Sequence, residues 1–320
     1  MKLNRRAALA GVAAVGAAPK AFAQAFPSKP IKIVVPFAAG SATDLTARGL
    51  GAKLQEILKQ PIIVDDRPGA SGQLGASAVA TAPADGYTLM MGTNTTNAAN
   101  GALFKQLSYD PEKDFAPIMR CVTGVNALVV NNDLPVKTVA ELVDYAKKNP
   151  GKLNYSEASA SQRLSGEMFN QLAGVKIERV PYKASPQALG DVALGQVQVM
   201  FPDLPQAMTQ IEAGRVRGLA TTGPKRTSVA PDLPAITETV PGYSLVYWLA
   251  VFAPAATPKL IQKALYEAIA EALKDPATGK AMTQGRMEIS PLGLDDFAAY
   301  VKTETGWWTK SIKEAGIEPE

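Results

Sequence analysis

The sequence predicts an α/β protein with mostly parallel sheets, arranged as two lobes. Short apolar runs rich in Val, Ile and Leu alternate with helical patterns along the chain, as strands buried on both faces alternate with crossover helices. A length of 320 residues favours two domains over one. Two irregular stretches, "RCVTGVN" at 120–126 and the turn-rich 221–244, sit where a chain would cross between lobes. Two crossings make residues 24–122 and 243–320 one lobe and 123–242 the other. The alternative is a single larger sheet with two surface loops.

The first 23 residues stand apart from this pattern. Lys2, Arg5 and Arg6 open the chain, an apolar stretch follows, and Ala21-Phe22-Ala23 reads as an A-x-A cleavage site. This is a signal peptide, too short to span a bilayer, so the remaining chain is expected to be exported. Arg5-Arg6 leaves twin-arginine as well as general export open. Strands are expected at 31–36, 61–65, 87–92, 127–131, 152–156, 177–181, 197–201, 216–221 and 246–253. Helices are expected at 43–59, 138–148, 162–172, 186–194, 258–274 and about 294–315. The second of these opens with Thr138 and carries Glu141 three residues on, a capping box.

Composition narrows the chemistry. The net charge of +4 is carried by the leader, which holds Lys2, Arg5, Arg6 and Lys20 and no acid. The rest is balanced, with no basic stripe for nucleic acid or an anionic membrane. The chain has no histidine and one cysteine, Cys121. A Ser-His-Asp triad, the common His-containing zinc sites and an internal disulfide are thereby excluded. Cys121 reads as a small buried hydrophobe. No metal or cofactor is expected.

The candidate binding residues lie at strand-to-helix joints. In "IVVPFAAGSATDL" a strand breaks into Gly40, Ser41 and Thr43, flanked by Phe37 and Asp44. A helix start offers unpartnered N–H groups and a positive dipole end, and small residues let an anion approach them. "DDRPGASGQLGA" repeats the arrangement with Gly69, Ala70, Ser71 and Gly72. It is neither a Walker loop nor a Rossmann fingerprint. A third strand is followed by Thr93 and Asn94. In the middle third, "YSEASASQRLSGEMF" supplies Ser159, Ser161 and Arg163. An arginine there opposes the positive helix end, which a bound carboxylate would explain; a solvated Arg163, or one paired with Glu167, is the alternative. "VPYKASPQAL" adds Tyr182 and Lys183, and "MFPDLPQ" adds Asp203, as a ligand acceptor or a helix cap. Ligands gather at the carboxyl ends of strands in open sheets, where all these loops would meet.

These segments resemble the Bug family, the periplasmic solute receptors of tripartite tricarboxylate transporters. The resemblance rests on "PIKIVVPFAAGSATDLTAR", "VDDRPGASGQLGASAVATAPADGYTLMMGT", "GEMF", "VPYKASPQALGDVALGQVQVMFPD" and the tail around "APAATPKLIQKALYEAI" and "WWTKSIKEAGI". It implies a two-lobed, type II-like binding-protein fold with a hinge, acting as a monomer. It also implies capture of a small di- or tricarboxylate or related organic acid for two membrane subunits, large and small. Phe37, Gly40, Ser41, Thr43 and Asp44 match the family's first ligand loop, and Gly69, Ala70, Ser71 and Gly72 its second. Thr93, Asn94, Ser159, Ser161, Tyr182 and Asp203 fall where such receptors line the cleft. Two departures stand out: Arg163 where relatives often carry His, and "KASP" (183–186) where they often have a glycine-rich turn. Two other functions fit the same residues: a sensory module for a kinase ectodomain, and a periplasmic hydrolase with Lys183 as base. The hydrolase reading lacks an S-x-x-K or G-x-S-x-G motif.

Overall fold

The structure is a computed structural model that describes residues 26–320, so the predicted leader lies outside the described residues. In chain order the elements are β1 (Ile31–Val35), α1 (Ala42–Leu58), β2 (Ile62–Asp66), α2 (Gln73–Ala80), β3 (Thr88–Thr93), α3 (Asn100–Leu103), β4 (Phe115–Gly124) and β5 (Ala127–Asn131). Then come α4 (Val139–Lys148), β6 (Asn154–Glu157), α5 (Ala160–Ala173), β7 (Glu178–Pro181), α6 (Ser185–Ala193), β8 (Val199–Met200), α7 (Leu204–Glu212) and β9 (Val216–Thr221). The chain closes with β10 (Tyr247–Pro254), α8 (Lys259–Leu273), α9 (Pro276–Thr283), β11 (Glu288–Gly293) and α10 (Leu294–Glu314).

The strands form two sheets, one of six in the order β11-β4-β10-β3-β1-β2 and one of five in the order β7-β6-β8-β5-β9. Both are mixed rather than mostly parallel. β1 runs parallel to β2 and β3, and β6 to β7 and β8. β10 is antiparallel to β3 and β4, β11 to β4, and β5 to β8 and β9. The apolar runs could not show this, because a strand covered on both faces reads alike in either direction. Strands of the first sheet come from both ends of the chain and those of the second from its middle. The chain passes between them at Val125–Asn126 and again between β9 and β10.

Each sheet is packed on both faces. One face of the first sheet buries Leu50 and Leu54 of α1 with Leu265 and Ile269 of α8. The other buries Trp248 and Phe252 of β10 against Phe297 and Trp308 of α10. Cys121 sits fully buried in β4, where burial pushes its thiol up to about 12. β4 itself is hidden in the sequence because Pro117 and Arg120 interrupt its apolar run. Arg120 is accommodated there by donating to the Ser290 carbonyl (3.0 Å) and hydroxyl (2.9 Å) of β11 and by lying over the Tyr300 ring. These packed layers fix the strand ends, and the loops leaving them meet between the sheets.

Candidate ligand-binding site

Loops from both sheets line one small cavity of about 30 Å³. From the first sheet it is lined by Phe37, Ala38, Ser41, Thr43, Thr93, Asn94 and Thr95, with Tyr247 and Leu249 of β10. From the second come Ala158, Ser159, Ser161 and Gln162 at the start of α5, Lys183–Pro186 at the start of α6, and Asp203 before α7.

The first loop is a helix cap. Ser41 is the N-cap of α1, and its hydroxyl accepts from the Asp44 N–H at 3.2 Å. Gly40 takes φ 79°, a left-handed conformation suited to glycine, and its N–H donates to Asp44 Oδ2 at 2.8 Å. Asp44 Oδ1 lies 2.6 Å from Arg48 Nε. The Asp44 carboxylate is thus occupied in holding its own loop and does not line the cavity. Gly40 stands at the rim, where its carbonyl accepts from Gln206 Nε2 of α7 at 3.2 Å.

The second loop is not brought to the cavity. Gly69, Ala70, Ser71 and Gly72 take φ values of 131°, 47°, 51° and 82°, four left-handed residues in a row. A Cβ on Gly72 would meet Thr96 Cγ2 at 2.7 Å, so this loop runs beneath the third one. The Ser71 carbonyl accepts from Asn100 Nδ2 at 3.0 Å. The glycines serve a tight backbone path that supports the third loop. That third loop does face the cavity. Thr93 Oγ1 accepts from the Thr95 N–H at 3.0 Å as β3 turns into a π-helical segment (Thr95–Ala99). Asn94 is buried on the cavity wall, and its Nδ2 has no hydrogen-bond partner among the described residues.

On the second sheet, Ser159 caps α5 and its hydroxyl lies 3.1 Å from that of Ser161. A hydrogen-bond relay starts beside them. Gln162 Nε2 donates to Ser185 Oγ (3.0 Å), which donates to Gln206 Oε1 (2.8 Å), and Gln206 reaches Gly40 of the first loop. Arg163, one residue further along the helix, turns away. Its Nη1 lies 2.9 Å from Glu320 Oε1, which also meets Arg179 Nη1 at 2.6 Å, while Arg179 Nη2 lies 2.8 Å from Glu157. Its partner is therefore neither solvent, nor Glu167, nor the cavity. Each helical residue advances about 100°, so Ser161 and Arg163 occupy different faces. Tyr182 is also elsewhere, donating to Asp191 Oδ2 at 2.8 Å.

Asp203 lines the cavity without capping its own helix. Burial raises its carboxyl from the ordinary 3.8 to about 6, while the Ala42 N–H at the start of α1 pulls the other way. Nearby Tyr247 is 2% exposed, and its hydroxyl has no hydrogen-bond partner among the described residues. Burial first, and then the Asp203 charge, push the Tyr247 phenol well above its ordinary value. Tyr247, Gln162, Ser185 and Gln206 were not anticipated from the sequence. Ser185 had a readable signal, a hydroxyl just before Pro186 at a helix start. Tyr247 had none, since it sits inside an apolar strand run.

This geometry has clear relatives. Residues 46–317 match the model of the tripartite tricarboxylate transporter family receptors. The chain belongs to that family. The receptor is 31% identical over 325 residues to Protein BugT of Bordetella pertussis, covering 99% of both chains. Its fold is similar to that of R. palustris Rpa4515 solved with adipate, with a TM-score of 0.89 and 37% identity over 92% of this chain and 100% of that one. It is also similar to MatC (Rpa3494) from Rhodopseudomonas palustris with bound malate, with a TM-score of 0.83 and 30% identity over 90% of this chain and 100% of that one. The receptor thus shares a periplasmic binding-protein fold with relatives solved holding small dicarboxylates.

Proposed function

We propose that the receptor is exported to the periplasm, captures a small dicarboxylate or related organic acid between its two sheets, and delivers it to two membrane subunits without chemical turnover. The sheets act as two lobes, with Val125–Asn126 and the segment between β9 and β10 as the hinge. One carboxylate is held by the amides and hydroxyls of Ser41, Thr43, Thr93 and Asn94. The far end is held by Ser159, Ser161 and Ser185. The lobes part for the ligand to enter and settle around it.

The observation that carries this reading is the meeting of helix starts. α1, α5 and α6 each present their first turn to one cavity, with the turn after β3 completing the wall. Such ends attract anions through unpartnered N–H groups and the helix dipole, without a buried cation. A thermal-shift screen with adipate, malate, their monoacid counterparts and esters tests it. A diacid at 100 times its dissociation constant should stabilise the protein by about 2.7 kcal/mol, with no product formed from esters. No shift with any carboxylate would overturn the reading.

A further inference from the structure

Asp203 is an unexpected side chain for the wall of an anion site. Among the described residues no cation forms an ion pair with it. α1 contributes the Ala42 N–H and Asp44, whose carboxylate is already held by Gly40 and Arg48. β10 contributes Tyr247, a neutral phenol with an unpartnered hydroxyl. The segment before α6 contributes Lys183, which lines the same cavity but forms no ion pair with Asp203 among the described residues. The lining residues from the third loop and from the first turn of α5 carry no titratable group. Backbone pairing of Asp203 with Asn126 at the sheet crossing fixes its position, so it cannot swing far from an incoming ligand.

Two ionised carboxylates brought together in this cavity each disfavour the charge on the other. A protonated Asp203 changes the site from one that repels a carboxylate to one that donates to it. We infer that Asp203 holds a proton in the liganded receptor and donates it as a hydrogen bond to the ligand, so that each diacid is captured together with one proton from solvent. The inference rests on the capture of a carboxylate in this cavity and adds the class of ligand end that fits. With Asp203 neutral, the groups facing the cavity include several donors: its own O–H, the Tyr247 hydroxyl, Asn94 Nδ2 and the Lys183 side chain. They suit an acceptor-only carboxylate and disfavour an ammonium, so diacids and hydroxy acids are selected over amino acids. Burial raises the Asp203 carboxyl to about 6 before any anion arrives, so a bound carboxylate has less far to push it to hold a proton near neutral pH. No covalent bond changes; the proton returns to solvent when the ligand leaves.

The test is calorimetry of the whole receptor with adipate, in two buffers of different ionisation enthalpy, from pH 6 to pH 8.5. About one proton should be taken up per ligand near pH 7.5, and affinity should fall towards tenfold per pH unit above about 7. Asp203→Asn should abolish the uptake and flatten the pH dependence to less than twofold, whereas Tyr247→Phe should keep the uptake. Adipate binding with no proton uptake in the natural protein would overturn the inference while leaving carboxylate capture intact. So would aspartate binding that releases no proton and is lost in Asp203→Asn. Absence of adipate, malate and every other carboxylate tested, at any pH, would instead remove the capture on which the inference depends. If Asp203→Asn does not fold, the proton count on the natural chain decides alone.

Discussion

The first turn of α5 has two faces that treat charge in opposite ways. Ser159, Ser161 and Gln162 look into the cavity and carry no charge. Arg163 looks outward into a network of Glu157, Arg179 and Glu320 in which positive and negative groups neutralise one another. The network ties the second sheet to the tail of the first. The Glu320 N–H donates to the Leu103 carbonyl at 2.9 Å, and the Glu320 carbonyl accepts from Lys105 at 2.8 Å. The comparison teaches that a charged residue beside a cavity-lining one in the sequence can be paired within the protein instead. Full charges buried together find each other, and their desolvation leaves little net attraction for a guest. Helix dipoles remain directed into the cavity because the caps that hold the helix starts do not cancel them.

Three substitutions would break or sharpen this contrast. The largest effect is expected on the uncharged face. Ser161→Phe places a ring in a cavity of about 30 Å³ and should weaken adipate binding more than a hundredfold, as titration calorimetry would show. Retained binding would move the site elsewhere. Next is Asp203→Asn in the absence of ligand. Its folded carboxyl lies near 6, above the ordinary 3.8, so ionisation costs stability as pH rises from about 4 to about 6. The variant should therefore be more stable than the natural chain above pH 6, by about 1–2 kcal/mol once its access to the cavity is considered, and equal below pH 4. Denaturant melts at pH 4 and pH 8 measure this. The smallest effect on binding is expected on the charged face. Glu320→Gln should cost about 1 kcal/mol of stability, because Glu320 is half exposed and Arg179 keeps Glu157. It should change adipate affinity less than threefold. A large and diacid-selective loss in Glu320→Gln or Arg163→Ala would restore Arg163 as a ligand clamp.

Much of this architecture was legible in the chain. β5 and β9 fall on their expected residues, and the first loop reads as a helix start from Gly40, Ser41 and Thr43 alone. β4 and β11 were not legible, because Pro117, Arg120 and Pro291 interrupt runs whose pairing comes from distant segments. For the candidate site, local chemistry placed Ser41 and Ser159 on the cavity wall, where each also caps its helix. It could not place a motif that has two uses. The glycine run at Gly69–Gly72 suits a ligand loop and equally a left-handed path under another loop, and only the third dimension separates them. Arg163 lies two positions from Ser161, close in sequence but around the helix in space. Gln206 and Tyr247 become site residues only when the second sheet is set against the first.

The most direct test of the central claim is a crystal structure of the receptor with adipate. The expected result puts one carboxylate within hydrogen-bond distance of Ser41, Thr43 or Asn94 and the other near Ser159, Ser161 or Ser185, with Arg163 still on Glu320. A diacid held by Arg163 or Arg179, or lodged away from the space between the sheets, would contradict it.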